Sequence, residues 1–127
     1  MDTVRLPYLG AASFDISSRT VTTNVTAQAD VMRVGLGYSH PNSPSRTWIV
    51  LAPVSATVTL PQLPSMFPVM PDAGDTGDVF AIGVYESNRY NGYSEARKDP
   101  LEVYNIIDGP VPPVGTTMRF STWGLFP

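Results

Sequence analysis

A chain of 127 residues fits one domain, since compact domains mostly hold about 100–150 residues, and residues 1–127 are expected to form a single unit. The 43% of hydrophobic residues supply a core and exclude a disordered tail, while eight Lys+Arg against eleven Asp+Glu leave a net charge of -3. That balance argues against nucleic acid or an anionic membrane as partner, and the absence of cysteine excludes disulfide frameworks, thiolate nucleophiles and Cys-ligated metal centres.

The chain opens on Met1-Asp2-Thr3-Val4-Arg5, with an acid where a secretory signal wants basic residues, and Leu6-Pro7-Tyr8-Leu9 is too short for its apolar core. No window reaches the ~18–20 apolar residues of a membrane span, so no membrane insertion is expected. Two placements are consistent with this: an extracellular or surface domain belonging to a longer chain or assembly, which is the preferred reading, or a cytoplasmic protein. Missing cysteines suit both.

The rest of the chain reads as strand after strand. Ser13-Phe14-Asp15-Ile16-Ser17 and Arg19-Thr20-Val21-Thr22-Thr23-Asn24-Val25-Thr26 alternate apolar with polar residues, the period of a half-buried strand. Residues 30–38 repeat the pattern, with Met32, Val34, Leu36 and Tyr38 on one face and Arg33, Gly35 and Gly37 on the other, where small residues leave room for a close approach. Thr47-Trp48-Ile49-Val50-Leu51 is a continuous apolar run and reads as a central strand; Ala56-Thr57-Val58-Thr59-Leu60 resumes the alternation. Val79-Phe80-Ala81-Ile82-Gly83-Val84-Tyr85 reads as buried, with Phe80, Ile82 and Val84 on one side. Thr117-Met118-Arg119-Phe120-Ser121-Thr122-Trp123 closes the set.

The 13 prolines are spread along the chain and leave little space for helix, since each interior proline removes a helical hydrogen bond. One short helical turn is expected near 93–98, with Ser94 as its cap and Pro100 ending it. The expected fold is all-β: a single β-sandwich of about seven antiparallel strands, with a small barrel as the alternative.

Trp48 on its strand, the phrase Leu60-Pro61-Gln62-Leu63-Pro64, the turn Asp75-Thr76-Gly77 and the alternating strand 79–85 together resemble the middle of a fibronectin type III or immunoglobulin-like sandwich. The phrases Trp48-x-Val50-x-Ala52-Pro53 and Thr57-Val58-Thr59-Leu60-Pro61 are also similar to accessory sandwich domains of bacterial secreted and surface proteins. The resemblance spans roughly residues 30–85 and departs from immunoglobulins in lacking a cysteine pair. It implies an accessory module and brings no catalytic residues with it.

Two clusters carry candidate chemistry. Asp72, Asp75 and Asp78 stand at i, i+3 and i+6 in a glycine-containing turn, a spacing from which a flexible loop converges hard oxygens on calcium, although it is not the spacing of an EF-hand. The competing reading is a solvated turn, and calcium is the one candidate cofactor. Tyr85, Arg89, Tyr90, Asn91 and Tyr93 form a recognition surface on a loop after a rigid strand, because tyrosine offers apolar area and a hydroxyl at low entropic cost. Against it, Asn91-Gly92 is a turn dipeptide, and Tyr90 and Tyr93 are equally suited to packing. Tyr104 and Asn105 lie near this cluster in sequence.

Catalysis is not expected. His40 is the single histidine, in a loop between Ser39 and Pro41, and is read as solvent-exposed. No serine lies in a Gly-x-Ser-x-Gly elbow, and no spacing singles out a carboxylate pair among Glu86, Glu95, Glu102 and the aspartates. Asn24-Val25-Thr26 matches a glycosylation sequon. The expected function is therefore a non-enzymatic binding or structural module with a protein or glycan partner, acting through the loops 89–93 and 39–45. One alternative is self-assembly through the Thr-rich segment 19–26 and the chain ends as sheet edges. Another is carbohydrate binding through Trp48 or Trp123.

Overall fold

Each alternating run becomes a strand. In the computed structural model, which describes residues 10, 12–25, 29–67, 70–72, 74–99 and 111–124, the elements run β1 (Ser13–Asp15), β2 (Thr20–Thr22), β3 (Val31–Ser39), β4 (Arg46–Ala52), β5 (Thr57–Thr59), β6 (Thr76–Ser87), α1 (Tyr93–Ala96) and β7 (Met118–Gly124). The sequence readings on residues 1–9, Thr26, Pro100, Glu102, Tyr104 and Asn105 lie outside the described residues. All strand pairs are antiparallel and form two sheets, β1-β2-β5 and β4-β3-β6-β7. Two separate sheets make a sandwich and rule against the barrel alternative. Among the described residues no helix is long and apolar enough to cross a membrane.

The core lies between the sheets, where alternation sends one side chain in two. Val21 and Val58, directly opposite each other on β2 and β5, face Met32, Val34 and Leu36 of β3 and Val79, Ile82 and Val84 of β6. Phe14, Trp48, Val50 and Trp123 close its margins. Both tryptophans thus serve in packing, which leaves less of each ring to act as a platform for sugar.

Edge and centre are exchanged relative to the sequence reading. The apolar run 47–51 does not mark a central strand: among the described residues β4 pairs with β3 alone and lies at an edge. Its continuous hydrophobicity reports two covered faces rather than two hydrogen-bonded neighbours, since Trp48 and Val50 pack on the main core and Leu51 on a second cluster. Conversely, β2, within the Thr-rich segment 19–26, is bonded on both sides, Val21 standing opposite Phe14 and Val58. It offers no free edge for strand addition; its threonines mark a polar face.

One bulge decides where Phe80 goes. In the β3–β6 ladder Gly35 stands opposite Ala81 but Leu36 stands opposite Val79, so Phe80 is the extra residue. The extra residue reverses the alternation: Val79 joins Ile82 and Val84 in the core, and Phe80, expected beside them, leaves it. Its ring lies over Gly35, where a Cβ would sit 2.6 Å from ring atoms, so Phe80 itself fills the space that the small residues of β3 leave. Gly124 makes a second close approach, at φ 75 and with a hypothetical Cβ 2.0 Å from the Phe80 carbonyl oxygen.

A smaller cluster covers the outer face of the large sheet near the start of β3. Val31, Tyr85 and Ala96 are buried there, packed by Leu51, Tyr90 and Tyr93, so α1 serves as a lid on that face. Ser94 does not cap α1: the N-cap is Gly92 at φ 87, without a side-chain bond, and Ser94 already lies inside the first turn. Glu95 instead reaches back, its Oε2 accepting the Asn91 amide at 2.7 Å.

Candidate functional site

β3 and β6 run antiparallel, so the end of one meets the beginning of the other, and Ser39 stands opposite Thr76. His40 and Asp75, the residues just beyond that pair, are thereby brought together across 35 positions of sequence, with His40 Nδ1 at 2.6 Å from Asp75 Oδ1. Asp72 enters through a turn in which the Asp75 amide donates to its carbonyl at 3.0 Å, and the Gly74 amide donates to its Oδ1 at 2.8 Å. The same Asp72 Oδ1 lies 3.8 Å from His40 Nδ1.

Burial separates the three roles. The side chains of His40 and Asp72 are 52% and 64% exposed, whereas that of Asp75 is only 3% exposed. Asp75 is fixed from behind, its Oδ2 accepting the Asp72 amide at 3.0 Å. That amide is the chief cause holding the Asp75 carboxyl below its ordinary range; burial opposes the shift and the bond from His40 adds to it. The group opens on a cavity of about 160 Å³ lined also by Tyr38, Ser43, Arg46 and Met70.

Of the three carboxylates grouped by sequence, Asp72 and Asp75 therefore converge and Asp78 does not. Asp78 lies on β6 opposite Gly37, and its Oδ1 accepts the amide of its own neighbour Val79 at 2.7 Å. An extended strand advances about 3.3 Å per residue, which carries position i+6 away from the turn. His40 takes the third place. Sequence spacing could not find it, because only the pairing of β3 with β6 makes it a neighbour of Asp75.

The opposite end of the same strands holds the tyrosine cluster, and here Asp30 is the organiser. Its Oδ2 accepts the Ser87 amide at 2.8 Å and its Oδ1 the Gly92 amide at 3.0 Å, so one carboxylate clamps both ends of the loop 87–92. Tyr85 is buried and stacks on Phe120 at 6.4 Å between ring centroids, and burial raises its phenol pKa. Tyr93 donates to the Leu51 carbonyl at 3.1 Å, with the Arg97 guanidinium 5.8 Å from its ring. Tyr90 donates to Asp99 Oδ2 at 3.0 Å, and Arg89 lies 5.8 Å from its ring and 3.8 Å from the same carboxylate. Tyr85 and Tyr93 are thus spent on packing; Arg89 and Asn91 are exposed beside Tyr90.

Tyr90 alone of the five expected residues lines the open groove at this end, about 500 Å³ in volume, together with Asp30, Glu86, Ser87, Asn88, Thr117 and Arg119. Asn88 fixes one wall by accepting the Thr117 amide at 3.0 Å and donating to the Gly115 carbonyl at 2.9 Å. Glu86 and Arg119, opposite each other on β6 and β7, form an ion pair. Beyond Tyr90, sequence reasoning reaches Glu86 and Asp30 only as unpaired candidate acids and Ser87 and Asn88 only as neighbours of the tyrosines, since nothing in linear order joins 30, 86–90 and 117–119.

Comparison with known proteins yields no match: no family model, no curated protein and no solved structure corresponds significantly to this chain.

Proposed function

We propose that this chain is a non-enzymatic β-sandwich module that binds a protein or glycan partner in the groove between the end of β6 and the start of β7. The observation that supports it is the groove's construction. Its walls are backbone already fixed by Asp30 and Asn88, so a ligand meets Glu86, Tyr90 and Arg119 without first ordering a loop. One aromatic ring among carboxylate, guanidinium, amide and hydroxyl groups suits a polar ligand held by directional hydrogen bonds. The strand order supports an immunoglobulin-like reading, in which first, second and fifth strands share one sheet and third, sixth and seventh the other; here β4 adds beside β3. An accessory domain of an exported or surface protein is the setting this reading favours.

Screening an oligosaccharide panel and a displayed peptide library, followed by NMR shift mapping of any binder, tests the proposal. The expected result is a ligand whose shifts gather on Glu86, Tyr90, Thr117 and Arg119 and whose binding is lost in Arg119→Ala. Absence of any binder, or shifts gathered elsewhere, overturns it.

Self-association is the second reading, favoured by β4: seven residues long, largely apolar and on an edge among the described residues. Light scattering across a concentration series distinguishes it, because a persistent monomer excludes assembly through that edge.

A further inference from the structure

We propose that His40, Asp72 and Asp75 form a site for a divalent transition-metal cation of the zinc type, in place of the calcium site that Asp72, Asp75 and Asp78 suggest in sequence. Donor chemistry makes the distinction. Calcium takes six to eight oxygens, whereas one imidazole nitrogen with two carboxylate oxygens is a ligand set suited to zinc, a fourth position being left for water.

The geometry is close to what such an ion needs. One ring nitrogen of His40 and one oxygen from each aspartate all lie within 4.8 Å of one another. Ligands about 2.1 Å from a tetrahedral ion stand about 3.4 Å apart. The 2.6 Å separation of His40 Nδ1 from Asp75 Oδ1 must therefore open, and the 3.8 Å separation from Asp72 Oδ1 must close slightly. His40 and Asp72 are the exposed members and are able to make that adjustment, while Asp75 stays anchored through its Oδ2 to the Asp72 amide and keeps Oδ1 for the ion.

A second, independent observation points into the same cavity. Tyr38, only 4% exposed, lines it, and its buried hydroxyl lies beside the Trp48 and Arg46 side chains without a well-formed hydrogen bond. A buried hydroxyl left so is costly, and a water bound to the ion would satisfy it. The cavity, about 160 Å³, has room for the ion and several waters at about 30 Å³ each. Arg46 also lines it and offsets one of the two carboxylate charges, so the site attracts a cation with a net charge near -1 when His40 is neutral.

The test is a Zn²⁺ titration of tag-free protein by calorimetry, with NMR of the imidazole protons, which are unambiguous because His40 is the single histidine. One equivalent of Zn²⁺ is expected to bind and to shift those signals. His40→Ala and Asp72→Asn should each weaken binding more than about tenfold, and Tyr38→Phe by about tenfold, as expected for a partner of the bound water. Asp78→Asn should leave binding unchanged, and millimolar Ca²⁺ should not displace the ion. Both ligand variants alter exposed side chains, so their folding, checked by circular dichroism, is expected to survive. No binding, binding indifferent to His40→Ala, or displacement of Zn²⁺ by Ca²⁺ overturns the proposal.

Discussion

Asp30 and Asp75 sit at opposite ends of the β3–β6 pair, and they use their oxygens differently. Asp30 gives both oxygens to backbone amides, of Ser87 and Gly92, and is a structural clamp. Asp75 gives one oxygen to the Asp72 amide and turns the other toward His40. A carboxylate spent on the backbone builds a surface for others to use, whereas one facing another side chain keeps chemistry of its own. The tyrosines repeat the contrast: the hydroxyls of Tyr90 and Tyr93 are bonded at the Asp30 end, and that of Tyr38, beside Trp48 and Arg46, makes no well-formed hydrogen bond at the Asp75 end.

The comparison breaks most visibly if Asp30 is not a clamp. Asp30→Ala removes two hydrogen bonds to a charged group and is expected to cost about 2–4 kcal/mol, read as a lowered urea midpoint together with lost amide protection at Ser87 and Gly92. An unchanged midpoint would mean that the loop 87–92 holds itself.

The same substitution made at each end sharpens the contrast. Tyr93→Phe strands the Leu51 carbonyl and should cost about 1 kcal/mol, whereas Tyr38→Phe removes a hydroxyl that makes no well-formed hydrogen bond and should change stability by less than about 0.5 kcal/mol or raise it, in metal-free buffer. Equal losses in thermal or urea unfolding would show that Tyr38 is bonded after all.

The smallest effect lies in alkaline titration. Burial is the main cause raising the phenol pKa of both Tyr38 and Tyr85 above the ordinary 10.0. With the folded pKa above the unfolded one, the native state holds its protons more tightly. The stability this contributes is complete below about pH 10 and is lost as pH rises from there through the folded values. Tyrosinate absorbance of the native protein should therefore lag behind that of the urea-unfolded chain above about pH 10, and coincident curves would contradict the burial of these rings.

Much of the fold is legible in the sequence because a strand announces itself locally. Alternation in 30–38 and 79–85 reflects the pleat, and each of the seven runs becomes a strand in β1–β7. Hydrogen-bond partnership has no such local mark. The run 47–51 looks central because it is apolar throughout, but among the described residues β4 is an edge with two covered faces; the segment 19–26 looks like an edge because it is rich in threonine, but β2 is the middle strand of its sheet. Phe80 defeats the alternation rule for a related reason: a single extra residue in the ladder inverts the pattern, and nothing in the string Val79-Phe80-Ala81 marks it.

The sites divide along the same line. Composition and periodicity determined that the chain is an all-β sandwich, that cysteine chemistry is absent and that acids gather in the turn before β6, because these depend on residue types and near neighbours. Which side chains meet was decided by antiparallel register alone. It set His40 beside Asp75, carried Asp78 away along its strand, and joined Asp30, Tyr90 and Arg119 around one groove. Long-range pairing is a property of two strands together, and neither strand's sequence records it.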